Sequence, residues 1–138
     1  MEARRRRTLD VRCIAGHLLY QIDADNARPR LRLVHQTFGI QIFGADPAMM
    51  RDAAAFVADT YSPDFIDINF GCPVKKVVKR NGGSGCLKDL DLLETLVRAV
   101  DDATSLPTTV KIRSGFDERT RDPVTIGLRC QDAGARAL

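Results

Sequence analysis

From Phe38 onward, short β-prone runs alternate with amphipathic helical stretches, and this alternation limits the chain to very few folds. Residues 39–44 (GIQIFG), 65–70 (FIDINF) and 108–113 (TTVKIR) read as strands. After the first, Asp46-Pro47 supplies an N-cap followed by proline at the first helical position. Met50, Ala53, Ala54 and Val57 then recur at helical spacing, and Ser62-Pro63 closes that helix. After the second strand comes a stretch rich in glycine and lysine, residues 71–85, read as a loop. Asp91 with Glu94 three residues later resembles a capping box, and Leu93, Leu96, Val97 and Val100 give the apolar stripe of a second helix. Leu106-Pro107 breaks it. Asp122-Pro123 opens a third helix, which ends near Gly134, a natural C′ residue. Residues 135–138 begin a fourth strand. Such repeats call for a parallel sheet with crossover helices.

Two architectures satisfy that requirement, a doubly wound sheet and a (β/α)8 barrel. Successive strand side chains point to opposite faces. Ile40 and Ile42 oppose Gln41; Ile66, Ile68 and Phe70 oppose Asp67 and Asn69; Val110 and Ile112 oppose Lys111 and Arg113. Every strand therefore has one apolar face and one face of amides and charges. An apolar face suits outer helices, and polar groups at C-terminal strand ends suit the mouth of a barrel. The same polar groups also fit satisfied partners of one another. The fold expected is α/β, a partial (β/α)8 TIM barrel with about half of its strand–helix units, across residues 36–138. Residues 1–35 form a basic segment without clear caps or period.

Composition sets the compartment and the partners. An apolar share of 44% is that of a globular chain. No run approaches the roughly 18–20 apolar residues of a membrane span. Four arginines near the N-terminus lead into no apolar signal core, so a cytoplasmic protein is expected. The net charge of +3 permits a polyanionic partner without requiring one. Basic residues cluster at 4–7, 28–32 and 75–80, a pattern equally natural for a solvated surface. The four cysteines, Cys13, Cys72, Cys86 and Cys130, have long irregular spacings, and His17 and His35 complete no zinc pattern, so no metal site is expected.

The segment DINFGCPVKKVVKRNGGSG, residues 67–85, is the most informative. Cys72 follows a strand directly, between Gly71, which lets the backbone turn, and Pro73, which stiffens the exit. A thiol there can act as nucleophile, metal ligand or general acid. Nucleophilic action wants a base such as histidine close by, and a metal wants further ligands; general-acid action wants only the protonated thiol. Lys75, Lys76, Lys79 and Arg80 adjoin this turn and suit phosphates of a cofactor or a nucleic-acid backbone. The glycines at 82, 83 and 85 match no phosphate-binding fingerprint.

QIFGADP (residues 41–47), DINFGCPVKKV (67–77), GGSGCL (82–87) and VKIRSGFD (110–117) resemble, in order and spacing, the hallmark blocks of the tRNA-dihydrouridine synthase family. Upstream, residues 18–35 weakly resemble the helical region before the first of these blocks. The resemblance implies FMN-mediated, NADPH-dependent reduction of uridine to 5,6-dihydrouridine in tRNA. It implies Cys72 as proton donor to C5 of the uracil ring and Asn69 as the residue that positions the base. It implies Gln41 and Lys111 as FMN-binding residues, and it makes Lys75, Lys76, Lys79 and Arg80 candidates for the RNA backbone. Cys86 reads as structural. The family's opening flavin-cradling block and its later phosphate-binding and RNA-binding parts have no counterpart here. The chain is thus expected to be the N-terminal half of the catalytic barrel, self-associating through uncovered barrel edges. The alternative is a catalytically inactive remnant or a weak basic RNA-binding fragment.

Overall fold

The computed structural model describes residues 37–138 and, before them, the backbone of two strands, β1 (Val11–Ala15) and β2 (Leu18–Ile22). The order continues with β3 (Phe38–Ile42), α1 (Pro47–Tyr61), β4 (Phe65–Asn69), the short α2 (Lys75–Val78), α3 (Leu90–Asp101), β5 (Thr108–Lys111) and α4 (Pro123–Asp132). Turns of 3-10 helix lie at Gly83–Lys88 and Glu118–Thr120.

The sheet runs β2-β1-β3-β4-β5. Strands β3, β4 and β5 are parallel, with Gly39 opposite Phe65 and Ile66 opposite Thr108. On the outer side of β5, Arg136 N donates to Thr108 O at 2.7 Å and Val110 N donates to Ala137 O at 3.0 Å. The expected fourth strand thus starts in parallel register, as a single bridge between Thr109 and Ala137.

The N-terminal side departs from expectation. Residues 18–22, assigned by resemblance to a helical region, form β2, and β1 and β2 pair as an antiparallel hairpin. Strand β1 pairs in turn with β3, also antiparallel, with Ala15 opposite Phe38. The runs Val-Arg-Cys-Ile-Ala and Leu-Leu-Tyr-Gln-Ile are rich in β-branched and aromatic types, which favour strands. Pairing with β1 also satisfies backbone groups that β3 would otherwise leave open as an edge. On this side β1 covers the edge of β3. The basic clusters at 4–7 and 28–32, His17, His35 and the side chain of Cys13 lie outside the described residues.

One face of the parallel strands carries the core. Ile40, Ile42, Ile66, Ile68, Phe70 and Val110 pack with Met50, Ala54 and Val57 of α1, with Leu93, Leu96, Val97 and Val100 of α3, and with Ile126 and Cys130 of α4. The stripes read from helical spacing are the ones buried. Full burial of each such aliphatic side chain stabilises the fold by about 1.5–3 kcal/mol. The helices line up on that face in chain order, α1 against α3 and α3 against α4. Between the last two, the Arg129 guanidinium binds Asp91 at 2.6 Å and Glu94 at 3.1 Å. The outer side of α4 leaves Val124 and Leu128, one turn apart, largely exposed.

Helix ends follow local chemistry. The Asp46 carboxylate accepts from Ala48 N and Met49 N, with Pro47 opening α1, and Asp122 caps α4 through Thr125 N. Gly134, at φ +115°, follows the end of α4 as expected. The cap of α3 is a correction: it is Asp89, not Asp91, whose carboxylate accepts from Leu92 N at 3.0 Å. Asp91 already lies inside the helix, in its first turn. Asp89→Ala should lower stability by about 1 kcal/mol, whereas Asp91→Ala, which removes only an exposed ion pair, should stay within about 0.5 kcal/mol. Urea midpoints of the two variants check this difference.

Candidate functional site

The opposite face of the same strands is polar, and the strand register lines its residues up in rows. Gln41 on β3 lies opposite Asp67 on β4, which lies opposite Thr109 on β5. One step toward the C-terminal ends, Asn69 lies opposite Lys111. Gln41 and Asp67 are both buried, only 6% and 7% exposed, and their side-chain polar atoms all have hydrogen-bond partners.

The bonds join into one chain. Thr109 Oγ1 donates to Asp67 Oδ1 at 2.6 Å, and Gln41 Nε2 donates to Asp67 Oδ2. Asn69 Nδ2 donates to Gln41 Oε1 at 2.9 Å. Asn69 Oδ1 in turn accepts from the backbone N–H groups of Gly71 and Cys72, both at 2.9 Å. A side-chain oxygen that accepts from its own backbone two and three residues on is a turn-making device. Asn69 therefore shapes the turn that carries Cys72. Burial raises the Asp67 carboxyl above the usual carboxylate range; the bonds from Thr109 and Gln41 and the charge of Lys111 pull the other way without overcoming it.

A second device holds Cys72 from the far side. Its carbonyl accepts from Ser84 N at 3.0 Å. Gly83 has φ +56°, and a Cβ there would stand 2.7 Å from the Cys72 carbonyl oxygen, so only glycine fits. The glycine cluster thus works as a backbone wedge under the cysteine turn. The stretch expected as a loop is in part helical: it contains α2 and enters the 3-10 turn Gly83–Lys88. Four residues without a side-chain cap leave no periodic signal to read.

The described cysteines separate clearly. Cys86 is buried, its thiol donates to Asn81 O at 2.7 Å, and burial pushes its pKa up to about 12. Cys130 is buried and pushed up to about 11 for the same reason. Cys72 is half-buried, the one described cysteine open to solvent. Lys111 is exposed at the end of β5, and Arg113 is exposed beyond it, its Cγ close to Gly71. Lys75, Lys76, Lys79 and Arg80 are all exposed on and just after α2, and none joins an ion pair among the described residues.

The structure thus brings Gln41, Asn69 and Cys72 into direct hydrogen-bonded sequence, with Lys111 on the neighbouring strand end. Asp67, at the centre of the row, is the residue that sequence reasoning did not single out. Alternation had put it on the polar face, but its bonding depends on the register of three strands. This arrangement fixes the backbone of Cys72 at the end of β4, with the Lys111 cation on the neighbouring strand end.

The family model described as Dihydrouridine synthase (Dus) matches residues 20–138, a span that contains every one of these residues. The chain belongs to the dihydrouridine synthase family. It is 39% identical over 116 residues to tRNA-dihydrouridine synthase B of Vibrio vulnificus, covering 81% of this chain and 36% of that protein. Against tRNA-dihydrouridine synthase B of Pseudomonas aeruginosa it is 39% identical over 118 residues, covering 83% of this chain and 35% of that protein. Against the protein of that name from Proteus vulgaris it is 40% identical over 115 residues, covering 80% and 35%. The chain thus spans about a third of the length of these dihydrouridine synthase relatives.

The raised Asp67 pKa has a consequence for stability. A carboxyl whose pKa is higher in the folded than in the unfolded state binds more protons when folded, so its contribution falls as pH rises from the unfolded value through the folded one. The difference in urea midpoint between the wild type and Asp67→Asn should therefore shift against the wild type as pH rises from about 4 toward neutrality. The difference cancels Glu94 and Asp122, whose lowered pKa values act in the opposite sense.

Proposed function

We propose that this chain is the N-terminal part of a (β/α)8 barrel that reduces uridine to 5,6-dihydrouridine in tRNA. The observation that carries the reading is the placement of Cys72: an accessible thiol, fixed by Asn69 at the C-terminal end of a parallel strand and linked through that asparagine to Gln41. Three helices on the apolar face and none of the candidate residues on it fit a barrel wall better than a doubly wound sheet, whose helices cover both faces. Names of relatives such as tRNA-dihydrouridine synthase B supply the reaction.

The donors present suit FMN. Gln41 uses one N–H of its amide within the row, which leaves a second N–H for a carbonyl oxygen or ring nitrogen. Lys111 brings a positive charge to the same strand ends, where it favours an electron-rich ring. Bound FMN, recharged by NADPH, would supply a hydride to C6 of the uracil. Cys72 would donate its thiol proton to C5, completing the loss of the C5–C6 double bond, and would regain a proton from solvent. Asn69 holds the cysteine turn and presents its free N–H to the base. Lys75, Lys76, Lys79 and Arg80 would lie along the tRNA backbone, where cations position the substrate without reading its sequence.

The test is a visible absorption spectrum of the purified chain after FMN is added and the excess removed. Retention near one flavin per chain supports the reading, and Lys111→Ala should then weaken retention. With flavin retained, Cys72→Ala should keep the flavin and lower dihydrouridine formation on unmodified tRNA by roughly 10²–10⁴-fold, the range for loss of a general acid. If no flavin is retained, this chain does not form the cofactor site by itself. In that case, salt-sensitive tRNA binding that Lys75→Ala/Lys76→Ala/Lys79→Ala weakens would favour the alternative of a basic RNA-binding piece.

A further inference from the structure

We propose that Asp67 is a positioning residue: by accepting hydrogen bonds on both oxygens it sets the direction of the chain that runs through Gln41 and Asn69 to the backbone of Cys72. The inference starts from the asymmetry of an amide, which has a donor end and an acceptor end of nearly the same shape. Shape alone leaves Gln41 and Asn69 free to be turned either way. An ionised carboxylate has no such freedom, since it only accepts.

Asp67 therefore draws Nε2 of Gln41 toward itself. The Gln41 oxygen is left facing Asn69, which must answer with Nδ2. Asn69 then has its oxygen turned toward the N–H groups of Gly71 and Cys72, as those backbone donors require. Reversing Gln41 would set its N–H against the N–H of Asn69. Turning Asn69 to relieve that clash would set its N–H against Cys72 N–H. One wrong link propagates to the cysteine turn. Thr109 completes the arrangement by donating to the other Asp67 oxygen, and Lys111, on the next strand end, is the charged group that acts on it.

The same direction dictates what the site offers a ligand. The atoms of Gln41 and Asn69 left unbonded within the row include one N–H each, so the ligand edge that meets them must carry acceptors. What Asp67 positions for catalysis rests on reading Cys72 as the proton donor; the hydrogen-bond chain itself does not.

The test moves the carboxylate one place along the chain. In Gln41→Glu two carboxyls face each other and stay in contact only while they share a proton. In Gln41→Glu/Asp67→Asn the new asparagine donates to the introduced carboxylate, which still accepts from Asn69, so the direction beyond it is preserved. The measurement is amide hydrogen-exchange protection at Gly71 and Cys72 in the 15N-labelled chain across pH, with Val57 and Leu96 as core reporters. In Gln41→Glu, once pH rises and the shared proton leaves, repulsion from Asp67 should drive the introduced carboxylate off Asn69 Nδ2, and protection at the two turn amides should fall about tenfold or more, the scale of one lost hydrogen bond. In the double variant it should return to within about threefold of the wild type at every pH.

A residue that only fills space predicts otherwise. If Gln41→Glu keeps its turn amides protected at all pH values, the proposal fails. It also fails if the double variant folds, by its core reporters, without regaining that protection, or does not fold. Should Gln41→Glu itself not fold, the double variant alone decides. No flavin or tRNA is present in this experiment, so its failure is separate from failure of the flavin-retention test.

Discussion

The site depends on one buried carboxylate that two neighbouring strands satisfy at once. Asp67 takes a hydrogen bond from β3 through Gln41 and another from β5 through Thr109. A buried charge without partners costs several kcal/mol, so such a group is tolerated only where donors stand ready on each side. The strand register provides them: Gln41, Asp67 and Thr109 fall in one row because β3, β4 and β5 run parallel in step. The apolar contacts on the opposite face hold that step, since a slip of one residue would turn Ile66 and Ile68 toward the polar side. Core and site are therefore two faces of a single constraint.

Much of this was legible in the sequence where a signal is local. Asp-Pro pairs marked the starts of α1 and α4, and helical spacing picked out the residues that α1 and α3 bury. Strand alternation put Gln41, Asn69 and Lys111 on one face before any pairing was known, and the structure places them in adjacent rows. What stayed hidden was non-local or too short. Asp89 and Asp91 both precede the apolar stripe of α3, and Glu94 made Asp91 the better match to a capping pattern. The choice of Asp89 is made by its extended backbone, φ −136° and ψ 93°, which the residue type does not encode. The strands β1 (VRCIA) and β2 (LLYQI) lack the strict apolar–polar alternation that marks a half-buried strand. Asp67 was visible as a polar residue, but its two bonds exist only once three strands are aligned.

Presentation of Cys72 rests on backbone geometry more than on side-chain contacts. Asn69 gathers the N–H groups ahead of the turn, and the Ser84 N–H takes the carbonyl behind it. Gly83 fills the remaining space with a residue that has no side chain. The thiol is thereby left as the part of Cys72 not committed to holding the turn. The contrast with Cys86, whose thiol is spent on Asn81 O, shows how little the residue type alone says about availability.

The spans of chain enclosed by the central row bear on how the molecule reaches this state. The Gln41–Asp67 bond joins residues 26 apart, and the Thr109–Asp67 bond joins residues 42 apart. Neither can form until a whole crossover has been laid down, and such distant pairings are slow to find because loop-closure entropy is lost before any contact compensates it. The hairpin of β1 and β2 needs no such search, as its strands are separated by two residues. Local pairing at the N-terminal edge can precede the parallel core, while the polar row comes together only when both crossovers have closed. The row that backs the Cys72 turn is thus complete only when the three parallel strands have found their final alignment.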